Sequence, residues 1–151
     1  MVMKNKLHAF ALFVALLAFN PFGLLGQNDN CNTLPAYKVT VNSTNVCNVG
    51  LLGTSIGATQ SMPACSGAAD DDVWFWFVAT GPSLIVSMSE FSMDNLVFQV
   101  YSGSCSSLTS IACVNNINTI GGGTTETTTL TNLITGDTYY MRVHSYVFGT
   151  D

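Results

Sequence analysis

The chain has 151 residues, with four basic residues against nine acidic ones and a formal net charge of −5. That length sets a single domain as the expectation. So little basic charge excludes the electrostatic footprint that nucleic acid or an anionic membrane surface requires.

At the N-terminus Lys4 and Lys6 precede an apolar stretch from Leu7 to Phe19 that only His8 interrupts. This is the pattern of a signal peptide, too short to span a bilayer as a helix. Cleavage is placed near Gly26, before the polar run Gln27-Asn28-Asp29-Asn30. Residues 1–26 are therefore read as a signal peptide, and residues 27–151 as one domain that is secreted or held at the cell surface without membrane insertion. Removing the leader leaves Lys38 and Arg142 as the only basic residues.

Beyond residue 27 no helix-length window carries apolar residues at helical spacing. Valine, threonine, tyrosine and phenylalanine recur instead in short runs between glycine, serine and asparagine clusters, an all-β pattern. In chain order the expected strands are Ala36 to Val41, Leu51 to Ala58, Val73 to Thr80, Ser83 to Ser89, Asn95 to Tyr101, Thr109 to Val114, Thr125 to Leu130 and Thr138 to Tyr146. Their number and spacing predict a two-sheet antiparallel sandwich of jelly-roll-like or immunoglobulin-like architecture. Gly81-Pro82 and Thr135-Gly136-Asp137 are the turn signals of hairpins, and Ser102-Gly103-Ser104 and Gly121-Gly122-Gly123 are loops.

The strand from Val73 is apolar on both faces, with Val73, Phe75 and Phe77 on one side and Trp74, Trp76 and Val78 on the other. It is either covered on both sides or carries an aromatic platform at the surface. Three carboxylates, Asp70, Asp71 and Asp72, stand immediately before it.

Five cysteines follow the leader, and in an exported chain without CxxC or Cys/His clusters they read as disulfides. Cys105 and Cys113 bracket a short serine-rich segment and are expected as one pair, worth at most about 2 to 3 kcal/mol for so short a loop. Of Cys31, Cys47 and Cys65 one is left over, with Cys47 and Cys65 taken as the second pair.

Several segments together resemble a repeated β-sandwich domain of secreted and surface proteins from Gram-negative bacteria that use type IX secretion. They are Asn28-Asp29-Asn30-Cys31, Gly57-Ala58-Thr59-Gln60, Pro63-Ala64-Cys65, and the runs 70–80, 96–105, 110–114 and 136–146. That domain is similar in turn to the bacterial prepeptidase C-terminal domain. The resemblance covers nearly all of the mature chain and implies a non-catalytic binding or adhesion module of a larger exported protein or hydrolase, sometimes stabilised by calcium. Trp76 departs from it, standing where the family has a small or polar residue. The chain also ends at Gly149-Thr150-Asp151, where a further strand would follow. A domain lacking its last strand would leave an unpaired edge beside Tyr139 to Tyr146, open to dimerisation, and a cysteine awaiting a partner downstream.

Asp70, Asp71, Asp72 and Asp94 are the candidate oxygen ligands for Ca²⁺, although no EF-hand spacing accompanies them; the alternative is a solvated acidic cap on a strand. Trp74, Trp76 and Tyr101 are the candidate ligand-binding aromatics, with stacking on a polysaccharide or contact with a protein as their role; the alternative is core packing. Catalytic residues are not expected. His144 is the sole imidazole of the mature chain and reads as a surface or edge residue of its strand. Gly53-Thr54-Ser55-Ile56-Gly57 has the letters GxSxG, with Asp137 and His144 following in a compatible order, but no helix follows Gly57 as a nucleophile elbow needs. Glu90 and Asp94 are a spaced carboxylate pair without an obvious cleft. The reading is a binding module, with a purely structural spacer as the first alternative and a small hydrolase as the second.

Overall fold

The computed structural model describes residues 28–33, 37–43, 50–119 and 121–149. The expected leader, Cys47 and the start of the expected strand at Ala36 lie outside these residues. Among the described residues the fold is all-β, a sandwich of two antiparallel sheets with no α-helix. The strands are β1 (Val73–Val78), β2 (Ser83–Ser89), β3 (Leu96–Ser104), β4 (Ser107–Val114), β5 (Thr125–Thr131) and β6 (Thr138–Ser145). The larger sheet runs β1-β6-β3-β4 and the smaller one pairs β2 with β5.

The strands form where β-branched and aromatic residues alternate, because each then presents one coherent face to a neighbour. Val73, Phe75 and Phe77 of β1, Leu96, Phe98 and Val100 of β3, and Tyr139, Met141 and Val143 of β6 share the inner face of the larger sheet. Leu84, Val86 and Met88 of β2 and Leu130 of β5 pack against them from the smaller sheet. Phe77 stacks on Tyr139 at 5.6 Å, and Tyr37 meets the edge of Phe75 at 6.0 Å.

Six of the eight expected strands are present. The stretch from Leu51 to Ala58 is a loop, and the stretch from Tyr37 to Val41 contributes only one parallel bridge, Lys38 to Trp76. Both runs have strand-forming composition, but among the described residues the first pairs with nothing and the second meets β1 only at Trp76, and composition without a continuous ladder does not make a strand.

The expected open edge beside Tyr139 to Tyr146 is corrected. β6 pairs with β1 on one side and with β3 on the other, so it lies inside the sheet with both ladders filled. The outer edge of β1 is occupied as well: Trp74 N donates to Asn28 O at 3.0 Å, Asn28 Nδ2 to Trp74 O at 2.8 Å, Trp76 N to Tyr37 O at 3.2 Å and Val39 N to Trp76 O at 2.8 Å. Asn28 holds this position with a φ of 73°, which asparagine tolerates better than most side chains.

Much of the outer face of the larger sheet is covered, with Trp74, Val97, Tyr101, Arg142 and His144 buried there. Residues 28–33 and 59–69 pass over it as two straps, and Asp29 joins them by accepting hydrogen bonds from Thr59 N at 2.6 Å and Thr59 Oγ1 at 2.8 Å. Disulfides Cys31–Cys105 and Cys65–Cys113 pin the straps to the β3–β4 hairpin. The expected Cys105–Cys113 and Cys47–Cys65 pairings are therefore corrected. Ser104 faces Ser107 at the hairpin tip whereas Cys113 faces Gln99 further down. That places Cys105 and Cys113 about 20 Å apart along the ladder at ~3.3 Å per residue, beyond the reach of a disulfide.

Candidate functional site

The three adjacent aspartates diverge. Asp72 turns inward beneath the strap: its Oδ2 accepts Ser61 N at 2.8 Å and lies 2.6 Å from Arg142 Nη2, and its Oδ1 accepts Ser61 Oγ at 2.5 Å. Both side chains of this pair are 0 % exposed. Arg142 Nη1 donates to the Pro63 carbonyl at 2.9 Å and Nη2 also to the Met62 carbonyl. Asp70 Oδ2 accepts Gly149 N at 2.8 Å, and Asp71 is buried. Asp94 sits in the turn before β3, where its Oδ1 accepts Gly121 N at 2.9 Å.

Both oxygens of Asp72 are already committed to Ser61 and Arg142, and Asp94 is tied to a different loop. Among the described residues no group of three or more His, Cys, Asp or Glu side chains could hold a metal ion.

The candidate aromatics separate in the same way. Trp74 is 1 % exposed and Tyr101 is buried beside it, their rings 5.5 Å apart. Trp74 Nε1 donates to Ser61 Oγ at 3.0 Å and Tyr101 OH to Met62 Sδ at 3.5 Å. Both are packing residues under the strap, which puts them out of reach of a ligand. Burial raises the Tyr101 pKa above its ordinary value, with Arg142 pulling it partly back. Trp76 is half-buried, with Lys38 Nζ 5.1 Å from its ring centroid.

His144 is not at the surface or at an edge, as its sequence context suggested. It is fully buried next to Arg142 on the same face of β6, and its Nδ1 lies 2.7 Å from Ser145 O. Burial lowers its pKa below the usual histidine value, and the Arg142 charge adds to that. Asp137 precedes β6 while His144 stands near its other end, about 23 Å away at ~3.3 Å per residue, so the two do not meet as members of a triad. The GxSxG letters have structural reasons. A Cβ on Gly53 would come within 2.7 Å of the Phe75 ring, and Gly57 adopts a φ of 75° in the turn where Ala58 N donates to Ser55 O.

Glu90 and Asp94 also serve the loop before β5. Glu90 Oε1 accepts both Thr124 N and Thr124 Oγ1 at 2.8 Å, which together with the Asp94–Gly121 contact fixes the glycine-rich segment. Glu126 on β5 does the same for Ile117 N at 2.7 Å. These loop-holding roles were not anticipated. The signal that could have found them is the placement of three acids around a glycine-rich run in a chain with so little charge.

What remains open is the cleft between the sheets. A groove of about 880 Å³ runs along β2, floored by Phe75, Phe77 and Met141 and walled by residues 39–43 and 50–56. Its size falls within the ~300–1,000 Å³ of ligand pockets. Apolar side chains stand exposed around it: Leu52, Ile56, Ile85 and, at 82 % exposure, Phe91. Sequence reading placed binding on the other face of β1, because nothing in the run 73–78 distinguishes a covered face from an open one.

The chain matches no family model, no curated protein and no solved structure.

Proposed function

We propose that this chain is a non-catalytic extracellular binding or adhesion module, secreted or held at the cell surface and accessory to a larger exported protein or hydrolase. The observation that carries the reading is the groove beside β2, an apolar cleft with exposed Phe91, Leu52 and Ile56 at its margin. Clefts of this kind mark recognition sites more often than packing faults. Two disulfides in a small domain fit an oxidising compartment, and among the described residues no helix is long and apolar enough to cross a membrane. The resemblance to the sandwich domains of type IX-secreted proteins supports the same reading, and calcium enters it through that resemblance alone.

The test is a screen of the mature protein against immobilised polysaccharides and surface proteins, with and without calcium. A ligand lost on substitution of Phe91 or Leu52 supports the module. A spacer that binds nothing is the second reading, favoured by the two cross-linked straps that brace the opposite face. It gains if no ligand is captured and chelation changes only the melting temperature.

A further inference from the structure

We propose that the free edge of β2 is a strand-addition site for an extended peptide of a partner protein, apolar at alternate positions and carrying a lysine or arginine beside Glu90. The inference rests on the binding-module reading and names the ligand of that same groove.

The ladder shows which groups are free to pair. Glu90 N donates to Thr124 O, and the β2–β5 register continues from there without a shift. In an antiparallel pair, hydrogen-bonded residues alternate with those that point away. Leu84, Val86 and Met88 therefore spend their N–H and C=O groups on β5, while Ser83, Ile85, Ser87 and Ser89 turn theirs to the other edge. Among the described residues that edge has no strand beside it, and all of β2 lines the groove whereas only Thr129 of β5 does.

Two properties of the groove select the occupant. An apolar small molecule could cover the floor of Phe75, Phe77 and Met141 but would leave the row of backbone donors and acceptors unpaired. An added strand pairs that row and sends every second side chain onto the floor. Charge then sets the polarity of the peptide. Among the described residues Glu90 is the only charged one lining the groove, it is 6 % exposed, and its Oε2 has no hydrogen-bond partner while Oε1 holds Thr124. A buried carboxylate oxygen without a donor is costly, and a cationic side chain at the end of the bound strand relieves it.

The probe is a labelled peptide of about nine residues, enough to span β2 at ~3.3 Å per residue, alternating valine and threonine and ending in lysine, with a glutamate-ended control. Fluorescence anisotropy on the mature protein should show binding that prefers lysine, and hydrogen exchange should slow at the Ile85 and Ser87 amides. Ile85→Pro removes one edge N–H while sparing the β5 ladder, a placement proline tolerates on edge strands, and should weaken binding about tenfold. Methylating alternate peptide nitrogens should do the same on the unaltered protein, whether or not that variant folds. Glu90→Gln should abolish the preference for lysine over glutamate. Equal binding of the methylated peptide, or displacement by dodecylamine that Ile85→Pro leaves unchanged, would overturn the proposal in favour of a small-molecule cleft. Absence of peptide binding overturns it too, and a glycan or protein still captured in the screen would show that the module reading survives.

Discussion

Arg142 Nη2 lies 2.6 Å from Asp72 Oδ2 with neither side chain exposed, so one of the chain's four basic residues is enclosed in the protein beneath the 59–69 strap. Removing either partner leaves an uncompensated buried charge. Arg142→Met is expected to cost about 3–5 kcal/mol, and pairing it with Asp72→Leu should recover much of the loss. Equilibrium denaturation of the three variants checks this; additive losses would mean that the pair is not coupled.

His144 makes stability depend on pH. Its folded pKa is lowered by burial, so below the unfolded value of about 6.5 the unfolded chain binds a proton that the folded chain refuses. Stability is fully present above that pH. It should fall at up to about 1.4 kcal/mol per pH unit as pH drops toward the lowered value. Asp72 and Arg142 belong to the same cluster, so the contribution of His144 is isolated by comparison with His144→Gln, whose profile should be flatter between pH 5 and 6.5.

The two tryptophans should respond differently to truncation. Trp74→Ala empties a buried site against Tyr101 and removes the indole donor to Ser61, an expected loss of about 3–5 kcal/mol. Trp76→Ala gives up a half-buried ring and its contact with Lys38, an expected loss of about 1 kcal/mol. Thermal melts of both variants separate core from surface.

Proteolytic mapping without reductant should recover Cys31 linked to Cys105 and Cys65 linked to Cys113. Each bridge closes a long loop, of 74 and 48 residues' separation respectively, for which the chain-entropy estimate is about 4 kcal/mol. Cys65→Ser is therefore expected to lower the melting temperature by about 10 °C or more.

Gly67 carries a φ of 70° and lies against Tyr146, where a Cβ would come within 2.6 Å of the Tyr146 carbonyl oxygen. Gly67→Ala should destabilise by more than the usual surface substitution and loosen the 59–69 strap, seen as faster exchange of the Ala68 amide that donates to Tyr146 O.

The six strands were legible because they are short runs of β-branched and aromatic residues between glycine, serine and asparagine clusters, and each has a ladder partner. Sheet order was not, since β6 follows β5 in sequence but inserts between β1 and β3, a choice made by long-range packing. The strap was equally hidden: the run from Thr59 to Ala69 has no periodicity, and its place depends on Ser61 meeting Asp72 and on Cys65 meeting Cys113. Asp72 and Arg142 stood out separately, one in a run of acids and the other as a rare cation, but no local pattern joins residues 70 apart in the chain. The groove lay in the half of β1 that looked like ordinary core.

The Cys31–Cys105 bridge has a mechanical consequence. Tension applied at Cys31 passes through sulfur directly into the end of β3, which is laced on both sides by β6 and β4. The stretch of chain between the two cysteines, about 250 Å if drawn straight at ~3.4 Å per residue, is shielded from that load. A pulled molecule should release this hidden length only after reduction.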